Sequence, residues 1–537
     1  MRSINGQLLK KMLISAANNL YNHYPEIDAL NVFPVPDGDT GMNMNLTLTS
    51  GAKEIQNRND EDVYTIANLF SRGLLMGARG NSGVITSQIF RGFSSSLKDK
   101  KVMKLNDFVE AFSNGSKVAY KAVMRPVEGT ILTVIRESSS ALSEHASSEM
   151  SIEKAMLYLI KEAKKSLDRT PDLLPVLKEV GVVDSGGAGL VKILEGMYAA
   201  LQGDFIEKSI ATSVDKNAAS VASDVGYFID FVLTLGPKDK KKEYAELRFK
   251  NMLSSKSDDL VIEHINDNEI KISMHTLTPG SILTYAQNYG EFSKLNIVNA
   301  KEKNEVVKEV KKDNTPKQEY AIVAISAGSG IDSYFKEIGA NEIVSGGQTM
   351  NPSTEDIISS IKHSNAKNVY VLPNNSNIVM AALQAADVLQ DEINVIVIPT
   401  KTIPQGIVAC SAFNPDASVE ENENEMKNSY SNVKSGSITY AIKDTTVDGF
   451  KVTKDYFMGI VDKKIVSCKK DKIETLYDLL DQMINEESYL VSIFGGEDIN
   501  SDQLESIASY LGEKYQNVEF DIRSGNQPVY SFLLSVE

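Results

Sequence analysis

The sequence of 537 residues holds only two cysteines, Cys410 and Cys468, and they stand far apart without a CxxC motif. This scarcity excludes a disulfide framework and a zinc site built from several cysteines. For such a chain, reduced thiols in a cytoplasmic protein are the default expectation.

Long apolar runs are also missing. No run approaches the roughly 20 apolar residues that a helix needs to span a bilayer. Lysine and asparagine interrupt the apolar positions of residues 1–20, which predicts an amphipathic helix and not a secretory signal. We therefore expect a cytoplasmic chain without an integral membrane segment.

Positive charge is in deficit, and the formal net charge is −16. Nucleic-acid binders and proteins of anionic membrane surfaces need basic stripes, so this balance argues against both classes. The five histidines are scattered, and no Ser-His-Asp or Cys-His arrangement for nucleophilic catalysis is visible. The length predicts about three domains.

What the chain does contain is a stretch suited to metal chemistry, residues 31–45. Pro34 and Pro36 stiffen the approach to Asp37 and Asp39, which stand two apart around a glycine. A carboxylate pair at this spacing can turn its oxygens to one side of a tight loop. Mg²⁺ is held in proteins by one or two carboxylates together with substrate phosphates.

Thr40, Gly41 and Asn43 follow the aspartate pair. They offer a hydroxyl, an unencumbered backbone N–H and an amide near the start of the next predicted helix, where anions are favoured. The alternative interpretation is a solvated Asp-Gly-Asp turn that caps a helix, which is the commoner outcome for such a turn in isolation.

A second stretch, residues 77–83, has three glycines in seven residues around Arg79. Glycine lets the backbone approach a ligand closely, and exposed N–H groups in such a loop can cradle phosphate. Alone this signal is weak, because a linker or a helix-capping loop looks the same. Together, the two stretches predict a metal site and a phosphate loop in one helical segment. Arg79 is a candidate catalytic cation facing the transferred phosphoryl group, with a surface arginine as an equal alternative.

Residues 36–44 (PDGDTGMNM) and 77–83 (GARGNSG) resemble the ATP-binding domain of the dihydroxyacetone kinase family. The longer stretch 31–44 (NVFPVPDGDTGMNM) more narrowly resembles the fatty acid kinase catalytic subunit (FakA-like) family. Further stretches match in the family's order and extend the resemblance over nearly the whole chain: 128–130, 183–190, 346–356, 372–375 and 398–406.

The resemblance implies ATP and Mg²⁺ as cofactors, with two metal ions. It makes Asp37 and Asp39 metal-binding, catalytic residues. Asn31, offset by one residue from a third family aspartate, stands as the third metal ligand; its oxygen can coordinate Mg²⁺ but adds no charge. The remaining implied positions near the phosphates and the nucleotide are Thr40, Gly41, Asn43, Asn81, Ser82, Thr130, Asp184, Ser185 and Gly186.

Periodicity predicts a mostly helical domain over residues 1–205, and the resemblance implies that it is an antiparallel helical (DhaL-like) barrel. Polar stretches at 206–222 and 301–318 predict linkers. Residues 223–300 predict a small α/β middle domain. In residues 319–537 strands alternate with helices, which predicts a two-lobed α/β domain containing a parallel sheet. The resemblance implies that this domain is related to DegV-family proteins and to the substrate half of dihydroxyacetone kinases.

Two local predictions concern a metal and a loop. Family members generally carry a cysteine and a His-x-His in the middle domain, where this chain has Phe228, Ser273 and His275. Because a structural zinc site needs four ligands, no zinc is expected. Glu420, Glu421, Glu423 and Glu425 are expected to lie in a solvated loop.

The resemblance predicts an ATP-dependent phosphotransferase that converts a fatty acid carboxylate to acyl phosphate. A DegV-family fatty-acid-binding partner would present the acid by docking on the C-terminal domain, which flexible linkers join to the ATP domain. The catalytic residues found in the sequence are consistent with this activity. Phosphoryl transfer needs positioning and charge neutralisation, and an ionised carboxylate needs no general base. Two alternatives stay open: a kinase of a small hydroxy-ketone such as dihydroxyacetone, and a non-catalytic ATP-binding scaffold or regulator. A homodimer is also left open.

Overall fold

The computed structural model describes residues 2–31, 38–209, 227–235, 249, 253, 258–266, 269–276, 279–299, 316–348, 350–441, 444–447, 450–462 and 464–537. The chain divides into two compact units: Met1–Ser209 with Lys317–Glu537 form one, and Ile210–Pro316 form the other. Asp37, one member of the predicted metal pair, lies outside the described residues.

The N-terminal part is helical, as its periodicity predicted. Its elements are β1 (Ser3–Ile4), α1 (Gly6–Leu30), α2 (Thr40–Gln56), α3 (Val63–Gly77), α4 (Gly80–Ser95), β2 (Met103–Lys104), α5 (Leu105–Ala122), α6 (Ile131–His145), α7 (Ile152–Asp168), α8 (Thr170–Leu173), α9 (Pro175–Val180) and α10 (Ser185–Gln202). The two short strands pair antiparallel.

These helices close into a ring. Each of α1 to α7 packs on the next, and α10 packs on both α7 and α1. The interior is a continuous core of buried apolar side chains. In it, Phe70 meets Phe90 and Phe93 meets Phe112 edge-on, with ring centroids 5.2 Å apart in each pair. Because the interior is filled, the rims where helices begin and end are the places open to a ligand.

Within its described residues, the middle unit contains an antiparallel sheet and a helix. Its elements are β3 (Tyr227–Leu235), β4 (Asp258–Asn266), β5 (Glu269–Thr276), α11 (Pro279–Ala286) and β6 (Gly290–Asn299), with strand order β4-β5-β3-β6. Phe228 is the cross-strand partner of His275, and Asp230 that of Ser273. The positions compared with the family's zinc ligands are therefore neighbours in this sheet, and the absence of zinc stays a prediction. Most of both predicted linkers lies outside the described residues.

The C-terminal part opens with the predicted parallel sheet, in the order β10-β9-β7-β8. Its elements are β7 (Gln318–Ser326), α12 (Ser329–Glu337), β8 (Glu342–Ser345), α13 (Thr354–His363), β9 (Ala366–Leu372), α14 (Val379–Leu389), β10 (Asn394–Val397), α15 (Ile403–Ser411) and α16 (Val419–Ser429). Ser353 and Asp356 form the capping box that opens α13.

A second, mixed sheet follows, in the order β15-β14-β11-β18-β16-β17. Its strands and neighbouring elements are β11 (Lys434–Tyr440), the hairpin β12 (Thr445–Val447) and β13 (Phe450–Val452), β14 (Phe457–Val461), β15 (Lys464–Lys469), α17 (Lys472–Met483), β16 (Leu490–Gly495), α18 (Ser501–Lys514), β17 (Glu519–Ser524) and β18 (Tyr530–Val536). The two sheets correspond to the two lobes predicted for this region.

The loop prediction for residues 420–425 is wrong, because these residues lie in α16. Ser418 caps the helix by accepting from the N–H of Glu421, whose carboxylate in turn accepts from the N–H of Ser418. Acidic side chains in a first helical turn are favourable. The apolar pattern is faint because Met426 is the one buried apolar side chain in this helix.

The helical and C-terminal parts pack directly on each other, which differs from the expectation of domains joined through flexible linkers. Ala78 and Val84 of the helical part share a buried cluster with Ile357 and Ala381 of the α/β part. The amide of Gln384, only 5% exposed, donates to the carbonyl of Leu75 at 2.7 Å. Among the described residues, no helix has the length and apolar character needed to cross a membrane.

Candidate active site

A cavity of about 790 Å³ lies between the helical ring and the C-terminal α/β part. It collects most of the residues proposed from the sequence. Those that line it are Asn31, Asp39, Thr40, Asn43, Asn81, Ser82, Thr130, Asp184, Ser185 and Gly186. Gly41 and Arg79 do not line it, and Asp37 lies outside the described residues.

Helices α2, α4, α6 and α10 all begin at this cavity, through Thr40, Asn81, Ile131 and Ser185 respectively. The first-turn N–H groups of a helix have no partner within the helix, and the helix dipole puts partial positive charge at that end. Convergence of several such ends makes the helical wall of the cavity suited to an anionic ligand.

Asp39 and Asn31 lie together at the N-terminal end of α2. Asn31 ends α1 and donates through its side-chain amide to the Thr40 hydroxyl at 3.1 Å. Asp39 accepts from the side-chain amide of Asn351, a residue of the α/β part, at 2.6 Å. Hard oxygen donors of this kind fit Mg²⁺, which needs few protein carboxylates when substrate phosphates complete its coordination. Within the described residues, no three or more Asp, Glu, His or Cys side chains form a metal cluster.

Gly41 has a packing role. Its N–H donates to the Asp28 carboxylate at 2.7 Å, and the N–H of Met42 donates to the same oxygen at 3.2 Å. A Cβ at position 41 would collide with the carbonyl oxygen of Tyr24. Asp28, in the last turns of α1, thus caps α2, and its burial raises its pKa to about 6. Sequence analysis missed Asp28 because it stands within a helical pattern, apart from the motif.

Arg79 turns toward the α/β part. Its guanidinium donates to the backbone carbonyl of Asn351 at 2.9 Å and approaches the Asp356 carboxylate at 3.6 Å. Gly80, which follows, has a φ of +58°, and a Cβ there would lie 2.6 Å from the amide nitrogen of Asn43. The second glycine stretch is therefore the tight entry to α4, and its arginine holds the domain interface.

Asp184 caps α10 by accepting from the N–H of Gly187 at 2.6 Å. Burial raises the pKa of this carboxyl to about 6, although the N–H groups of Gly187 and Ile131 oppose the rise. The aspartate therefore joins the starts of α6 and α10, two of the helices that begin at the cavity.

Sequence analysis did not identify the α/β wall as part of the site. Gln348, Asn374 and Lys401 follow the carboxyl ends of the parallel strands and line the cavity. Ligands of open α/β sheets bind beyond the carboxyl ends of the strands, a signal that could have pointed to these positions. Lys401 and, on the helical side, Arg125 bring positive side chains to the cavity.

Solved structures offer weak local likenesses. A DegV family protein from Thermus thermophilus, described by its fatty acid binding, aligns with 41% of this chain and 100% of its own at 13% identity and a TM-score of 0.30. The dihydroxyacetone kinase from C. freundii, in complex with AMP-PNP and Mg²⁺, aligns with 37% of this chain and 35% of its own at 19% identity and a TM-score of 0.30.

Sequence comparisons are much stronger. The chain matches the DAK2 domain over residues 34–199. It matches the middle domain of the FakA-like fatty acid kinase family over 224–307 and the C-terminal domain of that family over 321–537. Uncharacterized proteins of Staphylococcus aureus strains USA300 and COL are each 44% identical to it over 551 residues, covering 99% of this chain and 99% of theirs. The chain belongs to the FakA-like fatty acid kinase family and carries a DAK2 domain at its N-terminal end.

Proposed function

We propose that this chain is an ATP- and Mg²⁺-dependent kinase subunit that phosphorylates the carboxylate of a fatty acid presented by a DegV-family fatty-acid-binding partner. A carboxylate oxygen forms a bond to the γ-phosphorus of ATP, and the bond between that phosphorus and the β–γ bridging oxygen breaks. The products are acyl phosphate and ADP.

The observation that carries the proposal is the convergence of helix N-termini on one cavity. Asp28 already accepts from two first-turn N–H groups of α2, and Asp184 accepts from one each of α6 and α10. Phosphate oxygens would therefore be held by the remaining first-turn N–H groups at the cavity, those of α4 above all. A catalyst of phosphoryl transfer acts mainly by positioning and by neutralising charge, and this wall would contribute to both.

The proposed metal site is formed by Asp39 and Asn31, with Asp37 proposed from the sequence alone. Bound Mg²⁺ would neutralise charge on the transferred phosphoryl group. Lys401 on the α/β wall and Arg125 on the helical wall would attract the second anion, the acyl carboxylate. The acceptor is ionised near pH 7, so no side chain has to remove a proton.

The proposal of a carrier partner follows from the free energy needed to expose an acyl chain to water. Each CH₂ taken from an apolar environment into water costs about 0.8 kcal/mol. A carrier that keeps the tail buried and offers only the carboxylate avoids that cost. The shared cavity opens between the helical and α/β parts, so both would contact the carrier's cargo.

The test is ATP consumption by the purified chain with three acceptors: free fatty acid, dihydroxyacetone, and a DegV-family protein loaded with fatty acid. We expect negligible turnover with the first two and turnover, with formation of acyl phosphate, with the third. Efficient acyl phosphate formation from free acid would contradict the carrier requirement. Phosphorylation of dihydroxyacetone would contradict the acceptor, and nucleotide binding without turnover under any condition would indicate a scaffold.

A further inference from the structure

We infer that Asn351, a residue of the C-terminal α/β part, is a positioning residue for the metal-binding carboxylate of Asp39. The inference rests on the proposed function and deepens it, because it makes the Mg²⁺-nucleotide site depend on both parts of the chain. Asn351 and Asp39 stand 312 residues apart in sequence.

The contacts of the Asn351 side chain are specific. It is 4% exposed, and its amide donates to the Asp39 carboxylate at 2.6 Å and lies 3.4 Å from the side-chain oxygen of Asn43. Its own Oδ1 is buried and has no hydrogen-bond partner within the described part of the chain. Buried polar atoms are normally paired, so this oxygen points to a missing donor such as a water molecule of the metal's hydration shell.

The segment around Asn351 is clamped by the start of α4. Arg79 donates to the Asn351 carbonyl, and the N–H of Thr354 donates to the carbonyl of Ala78 at 3.1 Å. Arg79 also approaches Asp356, whose carboxylate accepts from the N–H of Ser353 at 2.7 Å. The side chain and the backbone of Asn351 are therefore both held by contacts within the chain.

A fixed amide donor has a definite effect on a carboxylate. A charge-assisted hydrogen bond to one oxygen restricts rotation of the carboxylate, and the lone pairs that remain can still coordinate a cation. Partners that orient a metal ligand in this way raise metal affinity, and removing one typically weakens affinity or activity by about 10- to 100-fold.

The experiment is calorimetric titration of the full-length chain with AMP-PNP at a series of Mg²⁺ concentrations. Asn351→Ala should weaken Mg²⁺-dependent binding of AMP-PNP by about 10- to 100-fold. Binding measured without Mg²⁺ should be unchanged, which a general loss of structure would not allow. The matched control is Gln384→Ala, which removes another buried amide of the same interface, one that bonds Leu75, Gln88 and Thr354, and leaves the amide that contacts Asp39 in place. Its Mg²⁺ dependence should match the wild type.

Three outcomes would overturn the inference: wild-type Mg²⁺ dependence in Asn351→Ala, tighter binding in that variant, or equal weakening in both variants. Equal weakening would mean that docking of the two parts matters and Asn351 itself does not. Failure of the proposed function looks different, because the wild-type chain would then show no carrier-dependent turnover, whether or not it binds AMP-PNP with Mg²⁺. Melting curves of both variants identify any loss caused by unfolding.

Discussion

At the scale of single residues, the structure separates the aspartate that caps α2 from the aspartate proposed to bind the metal. Asp39 stands at the N-cap position of α2 but makes no side-chain cap bond there. Asp28 caps that helix, through Gly41 and Met42. Asp39 is thereby released from the capping role that the Asp-Gly-Asp turn alone would suggest, and its carboxylate is held from the α/β side by Asn351.

Asp39→Asn should abolish carrier-dependent ATP turnover while the helical ring stays folded, because the residue lies in a partly exposed turn outside the core. The loss should exceed the 10- to 100-fold range typical of a residue that only orients a metal ligand. Steady-state turnover and far-ultraviolet circular dichroism measure the two effects. Asp99→Asn, at an exposed position beyond α4, is the control and should keep full turnover. Normal turnover in Asp39→Asn would refute the assignment, and so would lost helicity.

Asp184 should make stability depend on pH. Its pKa rises from an ordinary 3.8 to about 6 on folding, so the folded state binds the proton more tightly than the unfolded state. The resulting stabilisation is fully present below about pH 4 and is lost as pH rises through 6. Asp184→Asn cannot ionise and still offers an oxygen to Gly187. Its stability relative to wild type should therefore rise by about 1–2 kcal/mol between pH 4 and pH 7. Urea unfolding at both pH values measures this, and a pH-independent difference would contradict it.

At the scale of elements, the close approach of two helices explains Gly41, a residue that the family resemblance placed near the phosphates. α2 comes so near α1 at Gly41 that no side chain fits there. The same contact brings the first-turn N–H groups of α2 onto Asp28. The direction of α2, and with it the position of Asp39 and Asn43, depends on this packing.

Gly41→Ala should therefore destabilise the whole helical ring by about 1–3 kcal/mol, the usual cost of overpacking. Urea unfolding followed by circular dichroism measures the change. Gly512→Ala in α18 is the matched control, since no atom lies within 4 Å of its added Cβ, and alanine is the better helix former by up to about 1 kcal/mol. A phosphate-contacting Gly41 would give the opposite result, with reduced AMP-PNP binding at unchanged stability.

At the scale of the whole molecule, the helical ring and the C-terminal α/β part behave as one body. Their interface combines a shared apolar cluster with buried amides that pair across it. The cavity has walls from both. A partner docked on the α/β part, as proposed above, would therefore bring its cargo to a cavity whose two walls are already in place, without a swing of a separate lobe.

Val84→Asp should destabilise the packing of the helical ring and of the C-terminal α/β part alike. Val84 is 2% exposed and lies in the shared cluster, so an aspartate there buries a charge without a partner. Hydrogen exchange should show faster exchange in α4 and also in α14, across the interface, with weaker Mg²⁺-dependent AMP-PNP binding. Leu157→Asp, at a half-exposed position of α7, controls for the substitution and should leave both helices protected. Unchanged protection of α14 in Val84→Asp would contradict a shared body.

Much of the architecture was predictable from local patterns. Periodicity indicated the helices of the N-terminal part, and alternation of strands with helices indicated the parallel sheet, since both depend on neighbouring residues in sequence. The acidic helix α16 was not predicted, because a capping box stabilises its start and it lacks the apolar stripe that periodicity detects. Glycine and aspartate motifs indicated most of the residues that line the helical wall of the cavity, because helix starts carry a local signature.

Only the tertiary structure decided what these residues touch. The sequence determined that Arg79 stands beside a glycine turn, but packing directed its guanidinium to Asn351 and Asp356 and away from the cavity. The sequence also places an aspartate at position 39, but the amide that orients its carboxylate belongs to Asn351, 312 positions later. Local patterns encode the conformation of a segment. The partner of a side chain depends instead on which distant surfaces become buried against each other, and that follows from the packing of the whole fold.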